Sequence, residues 1–191
     1  MSQKLISPST GVTRRRLLIA SGLGSLFVSA PTIAKVTSPV MAKLDKQINL
    51  NHLHTTESIG VVYAQGERYV DPALTQLNQF LRDHYTQEVG VMDPKLYDIL
   101  FDIRVLLGVR EPYEIFSGYR SPFTNERLRN TRGGGVAKKS LHMEGRAIDM
   151  RLLDVPLEEL RDAAISLERG GVGFYPKDKF VHVDTGDFRT W

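Results

Sequence analysis

The chain has 191 residues and no cysteine, and its 25 Lys and Arg against 22 Asp and Glu give a formal net charge of +3. The missing cysteine excludes disulfides, thiolate zinc sites and a cysteine nucleophile. The first 34 residues hold four basic residues and no acid, so the rest of the chain has 21 basic against 22 acidic residues, and global basicity does not support nucleic-acid binding.

The first segment of the chain has the pattern of an export signal. Residues 14–16 are RRR, and the uncharged apolar stretch 17–30 follows them. This stretch has the length of a signal-peptide h-region and is short for a membrane span. The string TRRRLLI at 13–19 fits the twin-arginine export pattern. We expect a signal peptide over 1–34, cleaved after Ala34, export to the periplasm by the twin-arginine route and no stable membrane span afterwards. An uncleaved N-terminal anchor is the alternative.

The remaining chain is long enough for one domain with a real core. We expect a polar linker over 35–46 and the domain over 47–191. The domain opens with two β-type runs, at 48–54 and 58–64, which flank a turn-like TTE and therefore predict a hairpin.

Two amphipathic helices are predicted next, and an Asp-Pro pair opens each of them. The first begins at 71–72, with Asp71 as the N-cap, and repeats apolar residues at helical spacing as far as Tyr85. The second begins at 93–94 and stops at Gly108.

The second half of the chain is richer in strands. The expected elements are strands at 113–117, 146–152, 172–175 and 180–184, a short helix after Pro122 and a helix over 155–171. Helices come mainly first and strands mainly last, with hairpin spacing at the end. This order predicts an α+β fold in which a small antiparallel sheet packs with helices.

One constellation in the sequence carries metal chemistry. The segment SLHMEGRAIDM places His142 seven residues before Asp149, and Gly145 allows a tight turn between them. His182 lies in FVHVD, where strand alternation puts it on one face with Asp184. Two imidazoles and one carboxylate form a zinc site of the catalytic type, with a fourth position for water. The alternative is that each is an ordinary polar residue at a strand end.

These residues resemble the zinc D-Ala-D-Ala peptidases and murein endopeptidases of the hedgehog/DD-peptidase fold. The family pattern Ser-x-His-x-x-Gly-x-Ala-x-Asp is matched by SLHMEGRAID, with SGYRSP before it and GVGFY and FVHVDTG after it. The similarity covers roughly residues 46–191. Within the family the chain looks most like the exported murein endopeptidases that carry a twin-arginine signal.

The resemblance implies specific roles for four residues. His142, Asp149 and His182 match the zinc ligands of the family, and Arg120 in GYRS matches the arginine that approaches the substrate carbonyl and the developing oxyanion. The alternative for Arg120 is a surface or ion-paired arginine.

The chain departs from the family at the general base. Many relatives have an acid three residues before the last histidine, where this chain has Lys179. Asp184 is then the first choice for the acid/base carboxylate, or it orients His182 by a hydrogen bond. Asp178, in the preceding turn, is the second choice.

The expected function is that of a periplasmic zinc metallopeptidase that hydrolyses peptidoglycan peptide cross-links and takes part in cell wall remodelling. The resemblance implies stem peptides and cross-links as partners, with bonds to meso-diaminopimelate among the targets. A DD- or LD-carboxypeptidase is the alternative among enzymes. The alternative from another class is a non-catalytic, metal-stabilised module that binds peptidoglycan peptides, which the lysine at Lys179 favours.

Overall fold

The computed structural model describes residues 45–131 and 136–191. The predicted signal peptide, most of the predicted linker and the glycine run at 132–135 lie outside the described residues. No helix within the described ranges combines the length and the apolar character that crossing a membrane requires.

The described ranges contain eight strands and four α-helices. The strands are β1 (Asp45–His52), β2 (Ser58–Gln65), β3 (Arg68–Tyr69), β4 (Tyr113–Ser117), β5 (Ala147–Arg151), β6 (Gly171–Tyr175), β7 (Phe180–Asp184) and β8 (Arg189–Thr190). The helices are α1 (Asp71–Phe80), α2 (Lys95–Leu107), α3 (Pro122–Thr131) and α4 (Leu157–Ser166), and a 3₁₀ turn spans Leu141–Glu144. The first strand therefore begins two residues before the predicted domain boundary.

All eight strands belong to one sheet, in the order β3-β2-β1-β4-β5-β7-β6-β8. The predicted α+β class and the predicted hairpin of β1 and β2 are confirmed. The sheet is larger than predicted and mixed, because β1 pairs with β4 and β6 with β8 in parallel. A sequence pattern does not reveal these parallel pairs, since each joins strands separated by other elements.

The two faces of the sheet have different roles. Ile148 and Met150 of β5, with Val181 and Val183 of β7, are buried in the core cluster, to which α1, α2 and α4 also contribute. Successive residues of a strand point to opposite faces. The residues between them, including Asp149, therefore lie on the other face, where the site is built.

The two long helices follow the sequence pattern, with two corrections to α1. Helix α2 ends at Gly108 in the left-handed conformation, with φ of 67°, as predicted. Helix α1 ends at Phe80, so the expected helical stripe does not reach Tyr85, which is 46% exposed. Asp71 is the first helical residue, and Val70 occupies the N-cap position without a side-chain cap. The chain leaves the helix at Leu81 because the next residues bind the loop after β4.

Candidate metal centre

The structure brings the three predicted ligands together on the open face of the sheet. Asp149 of β5 and His182 of β7 face each other in the antiparallel ladder. His142 arrives from the 3₁₀ turn. One ligand atom from each residue lies within 4.8 Å of the others. Asp149 Oδ1 lies 2.7 Å from Nδ1 of His182 and 3.2 Å from Nε2 of His142.

A glycine makes this approach possible. Gly145 ends the 3₁₀ turn with φ of 67°, a backbone conformation that other residues rarely adopt. A Cβ at this position would also overlap the backbone carbonyl oxygen of Val91. The chain can therefore turn from His142 into β5 through four residues, 143–146.

The surroundings of His142 fix which ring nitrogen faces the centre. Nδ1 lies 2.7 Å from the carbonyl oxygen of Gly118, which can only accept, so Nδ1 carries the hydrogen. Burial lowers the pKa of His142 more than the carboxylate of Asp149 raises it, so the ring is neutral. Its Nε2 lone pair then faces the Asp149 oxygen at 3.2 Å. Two acceptors at this distance fit a cation between them.

Asp149 and His182 form the charged half of the group. Burial alone raises the pKa of Asp149, but His142 and His182 outweigh burial and hold this pKa well below its usual range. Burial alone lowers the pKa of His182, but hydrogen bonds to Asp149 and Asp184 raise it to about 9. A metal ion at Nδ1 of His182 would displace a proton, so metal affinity depends on pH.

Asp184 contacts His182, and both of its carboxylate oxygens have hydrogen-bond partners. Its Oδ2 is 3.1 Å from Nε2 of His182 and accepts from Nη2 of Arg189 at 2.6 Å. Its Oδ1 accepts from the backbone N–H groups of Gly171 at 3.0 Å and Gly186 at 2.8 Å. Of the two roles predicted for Asp184, these contacts favour orienting His182, so that Nδ1 faces the centre.

Arg120, to which the family resemblance gives a role, lies beside His142, Asp149 and His182, which are called the metal group below. Its side chain is 12% exposed, and Nη2 is 3.5 Å from Oδ2 of Asp149 and 3.4 Å from Oγ of Ser117. Its backbone N–H donates to the carbonyl of His142 at 3.1 Å. These contacts fix the position of the Arg120 guanidinium relative to the 3₁₀ turn that carries His142.

Residues just after α1 hold the loop that carries Arg120 by hydrogen bonds. The backbone N–H of Tyr119 donates to the Leu81 carbonyl at 2.8 Å, and that of Ser121 donates to Oδ2 of Asp83 at 2.8 Å. Asp83 is 1% exposed. Our sequence reasoning gave Asp83 no role. The only local signal is an acid three residues after the end of a helix.

We expect Asp83→Asn to lower the free energy of unfolding near pH 5. We also expect it to reduce the further fall of this free energy as the pH drops towards 2. Burial alone raises the pKa of Asp83, but hydrogen bonds from Thr124, Ser121 and backbone amides hold it at about 2. This stabilisation is complete above the unfolded pKa of about 3.9 and is lost as the pH falls towards 2, which corresponds to about 2 kcal/mol. Denaturant unfolding between pH 5 and 2 measures it.

The exposed residue Asp154 provides the matched control for that measurement. Asp154→Asn should leave the free energy of unfolding at pH 5 within about 0.5 kcal/mol of that of the unchanged chain. Equal slopes for Asp83→Asn and the unchanged chain would contradict the assignment.

Two cavities meet at the metal group. The first, of about 460 Å³, is lined by Asp149, His182 and Arg120. The second, of about 200 Å³, shares Asp149 and Arg120 and reaches towards His84. Both cavities are lined by Asp149 and Arg120, so the candidate centre borders each of them.

The turn before β7 places Asp178 and Lys179 on different surfaces. Asp178 lines both cavities, whereas Lys179 lines a separate groove beside Leu153. Lys179 has a φ of 61°, which is unusual for a residue other than glycine and redirects the chain at this point. The carboxylate that borders the cleft therefore belongs to the residue just before the family position.

A second group of imidazoles lies at the far end of the smaller cavity. The rings of His54 and His84 stack with centroids 4.2 Å apart, and His52 lies 5.7 Å from His84. Nδ1 of His52 accepts from the backbone N–H groups of His54 and Thr55, so it carries no hydrogen and Nε2 does. His52 therefore has no lone pair for a metal at Nε2.

Comparison with known proteins identifies relatives over nearly the whole chain. The Peptidase_M15_2 family, described as "Peptidoglycan L,D-endopeptidase MepK", matches residues 40–191. The peptidoglycan L,D-endopeptidase MepK of Escherichia coli (strain K12) is 42% identical over 180 residues, which cover 93% of this chain and 96% of that protein. The probable peptidoglycan L,D-endopeptidase MepK of Haemophilus influenzae is 35% identical over 181 residues, with 93% and 95% covered.

Proposed function

This chain belongs to the Peptidase_M15_2 family, and on that premise we propose that it is a peptidoglycan endopeptidase that uses a zinc ion. It hydrolyses peptide cross-links of the cell wall and takes part in wall remodelling. The observation that carries the proposal is the His142, Asp149 and His182 group, with Arg120 beside it, at the junction of two cavities.

The donor set supports zinc and hydrolysis. Two imidazoles and one carboxylate with no thiol are typical of catalytic rather than structural zinc sites. His142, Asp149 and His182 would hold the zinc ion, which would supply water activation and polarisation of the scissile carbonyl. Gly118 and Asp184 hold His142 and His182 with the correct nitrogen towards the centre.

The remaining steps belong to side chains of the cleft. Arg120 presents a fixed guanidinium to the oxyanion that develops on the substrate carbonyl, where it stabilises the transition state more than the ground state. Asp178 accepts the proton of the attacking water and passes it to the leaving amine. Asp184 keeps His182 oriented and exchanges no proton.

Substituting the two acids separates these roles. Asp184→Asn should lower kcat/KM by about 10- to 100-fold and weaken zinc binding, because it loosens His182. Asp178→Asn should lower kcat by about 100-fold and leave zinc binding unchanged. The measurements are kinetics across pH and zinc titration. A fall in kcat with unchanged zinc binding in Asp184→Asn, and not in Asp178→Asn, would reverse the assignment.

The proposed setting is the periplasm, reached through the twin-arginine signal expected at 1–34. The proposed substrates are cross-links between stem peptides, including bonds to meso-diaminopimelate. An endopeptidase is favoured over a carboxypeptidase because the matching family and the similar protein of Escherichia coli are named L,D-endopeptidases. The binding-module alternative loses its main support, because Asp178 borders the cleft where Lys179 does not.

Incubating the zinc-loaded protein with purified sacculi tests the function. We expect cross-linked muropeptides to disappear, with uncross-linked peptides released in their place, and a chelator to stop the reaction. Unchanged muropeptides with zinc bound and the fold intact would contradict the enzyme assignment. Release of single terminal residues without loss of cross-links would indicate a carboxypeptidase.

A further inference from the structure

Trp191 lies beside the metal group and is firmly placed there. Its backbone N–H donates to the carbonyl of Val172 at 3.3 Å, and its carbonyl accepts from the N–H of Phe174 at 2.9 Å, which continues β8 along β6. Its ring centroid lies 5.3 Å from that of His182. The indole N–H donates to the hydroxyl of Tyr175 at 2.8 Å.

A glycine on β6 makes room for the indole. Gly173 pairs with His182 across the sheet, and a Cβ at this glycine would lie 2.7 Å from two ring carbons of Trp191. Gly173 does not have a positive φ, so its backbone would accept alanine. The glycine therefore serves the position of the ring rather than a turn.

The exposed part of this indole is an apolar surface. Trp191 is 50% exposed and lines the larger cavity. Its N–H already has a partner in Tyr175, so the accessible ring offers contact area rather than a hydrogen bond. Tyr175 stacks on Phe180 with centroids 4.6 Å apart, which extends the surface along the cleft.

We propose that Trp191 is a specificity-determining residue, whose indole binds the aliphatic part of the substrate side chain next to the scissile bond. The inference rests on the proposed function, since it assumes a peptide in the cleft. We expect the enzyme to prefer peptides in which the residue next to the scissile bond has a long aliphatic side chain. The competing role is structural, in which the ring only steadies His182.

Fluorescence tests the binding directly, because Trp191 is the only tryptophan of the chain. The zinc-loaded full chain is titrated with uncross-linked tetrapeptides released from sacculi, which are reaction products and avoid turnover. We expect a saturable change in emission, and a dissociation constant about threefold or more higher in Gly173→Ala, which displaces the ring. No change at saturating peptide, or an unaltered constant in Gly173→Ala, would overturn the proposal.

Steady-state kinetics on muropeptide dimers separate binding from support of His182. We expect Trp191→Ala to raise KM by about tenfold with kcat and zinc affinity little changed, and Trp191→Phe to restore most of the loss. Leu106→Ala, an exposed apolar position on α2 behind the sheet, is the matched control. A fall in kcat and zinc affinity at constant KM would assign only the structural role. Peptide binding to Trp191 without any hydrolysis by the unchanged enzyme would refute the proposed function and, with it, the role in substrate specificity, and would leave Trp191 only as a peptide-binding residue.

Discussion

His182→Ala is expected to abolish cross-link cleavage, with kcat/KM reduced by at least about 10³-fold, since a catalytic metal contributes several kcal/mol to the transition state. The substitution removes the ligand that Asp184 orients and that Asp149 contacts at 2.7 Å. It also leaves Asp149 without one of the two imidazoles that lower its pKa. We expect the zinc content to fall together with the activity.

Three measurements define that result: muropeptide analysis after incubation with sacculi, zinc per chain and thermal unfolding. His54→Ala is the matched control for metal content, because His54 stacks on His84 away from the ligand group. Cleavage that survives in a folded His182→Ala protein would show that the ligand set is wrong. Loss of cleavage with a full zinc content would instead assign His182 a role other than metal binding.

Arg120→Lys is expected to lower kcat by about 100- to 1,000-fold while zinc remains bound. Lysine keeps the positive charge, but it lacks the planar fork that contacts Asp149 and Ser117 from one position. The oxyanion then loses a fixed donor at the moment when charge develops on it. Zinc titration and kinetics on muropeptide dimers measure the two quantities separately.

Arg161→Lys controls for the general effect of replacing an arginine. Arg161 lies on α4, outside the cleft, and packs over the ring of Phe174. A kcat within about threefold of the unchanged enzyme in Arg120→Lys would show that charge alone is sufficient. A large rise in KM with unchanged kcat would make Arg120 a substrate-binding residue rather than an oxyanion donor.

The elements that sequence predicted well are those set by local periodicity. Strands β4 and β7 and the end of α2 at Gly108 follow from alternation and a glycine cap, both of which act over a few residues. The parallel pairing of β1 with β4 was missed, because α1 and α2 separate these strands in the chain. Pairing over such a distance depends on how the helices pack.

The candidate site divides in the same way. The sequence by itself offered His142, Asp149 and His182 as a three-ligand set, since a tight turn joins the first two and strand alternation places the third. Resemblance to a family supplied their assignment as zinc ligands and the role of Arg120. Only the tertiary structure decided which imidazole nitrogen faces the centre, because Gly118 and Asp184 hold the opposite ring atoms. It also brought Asp178 to the cleft and turned Lys179 away. These outcomes depend on atoms that packing brings together, which residue order alone does not specify.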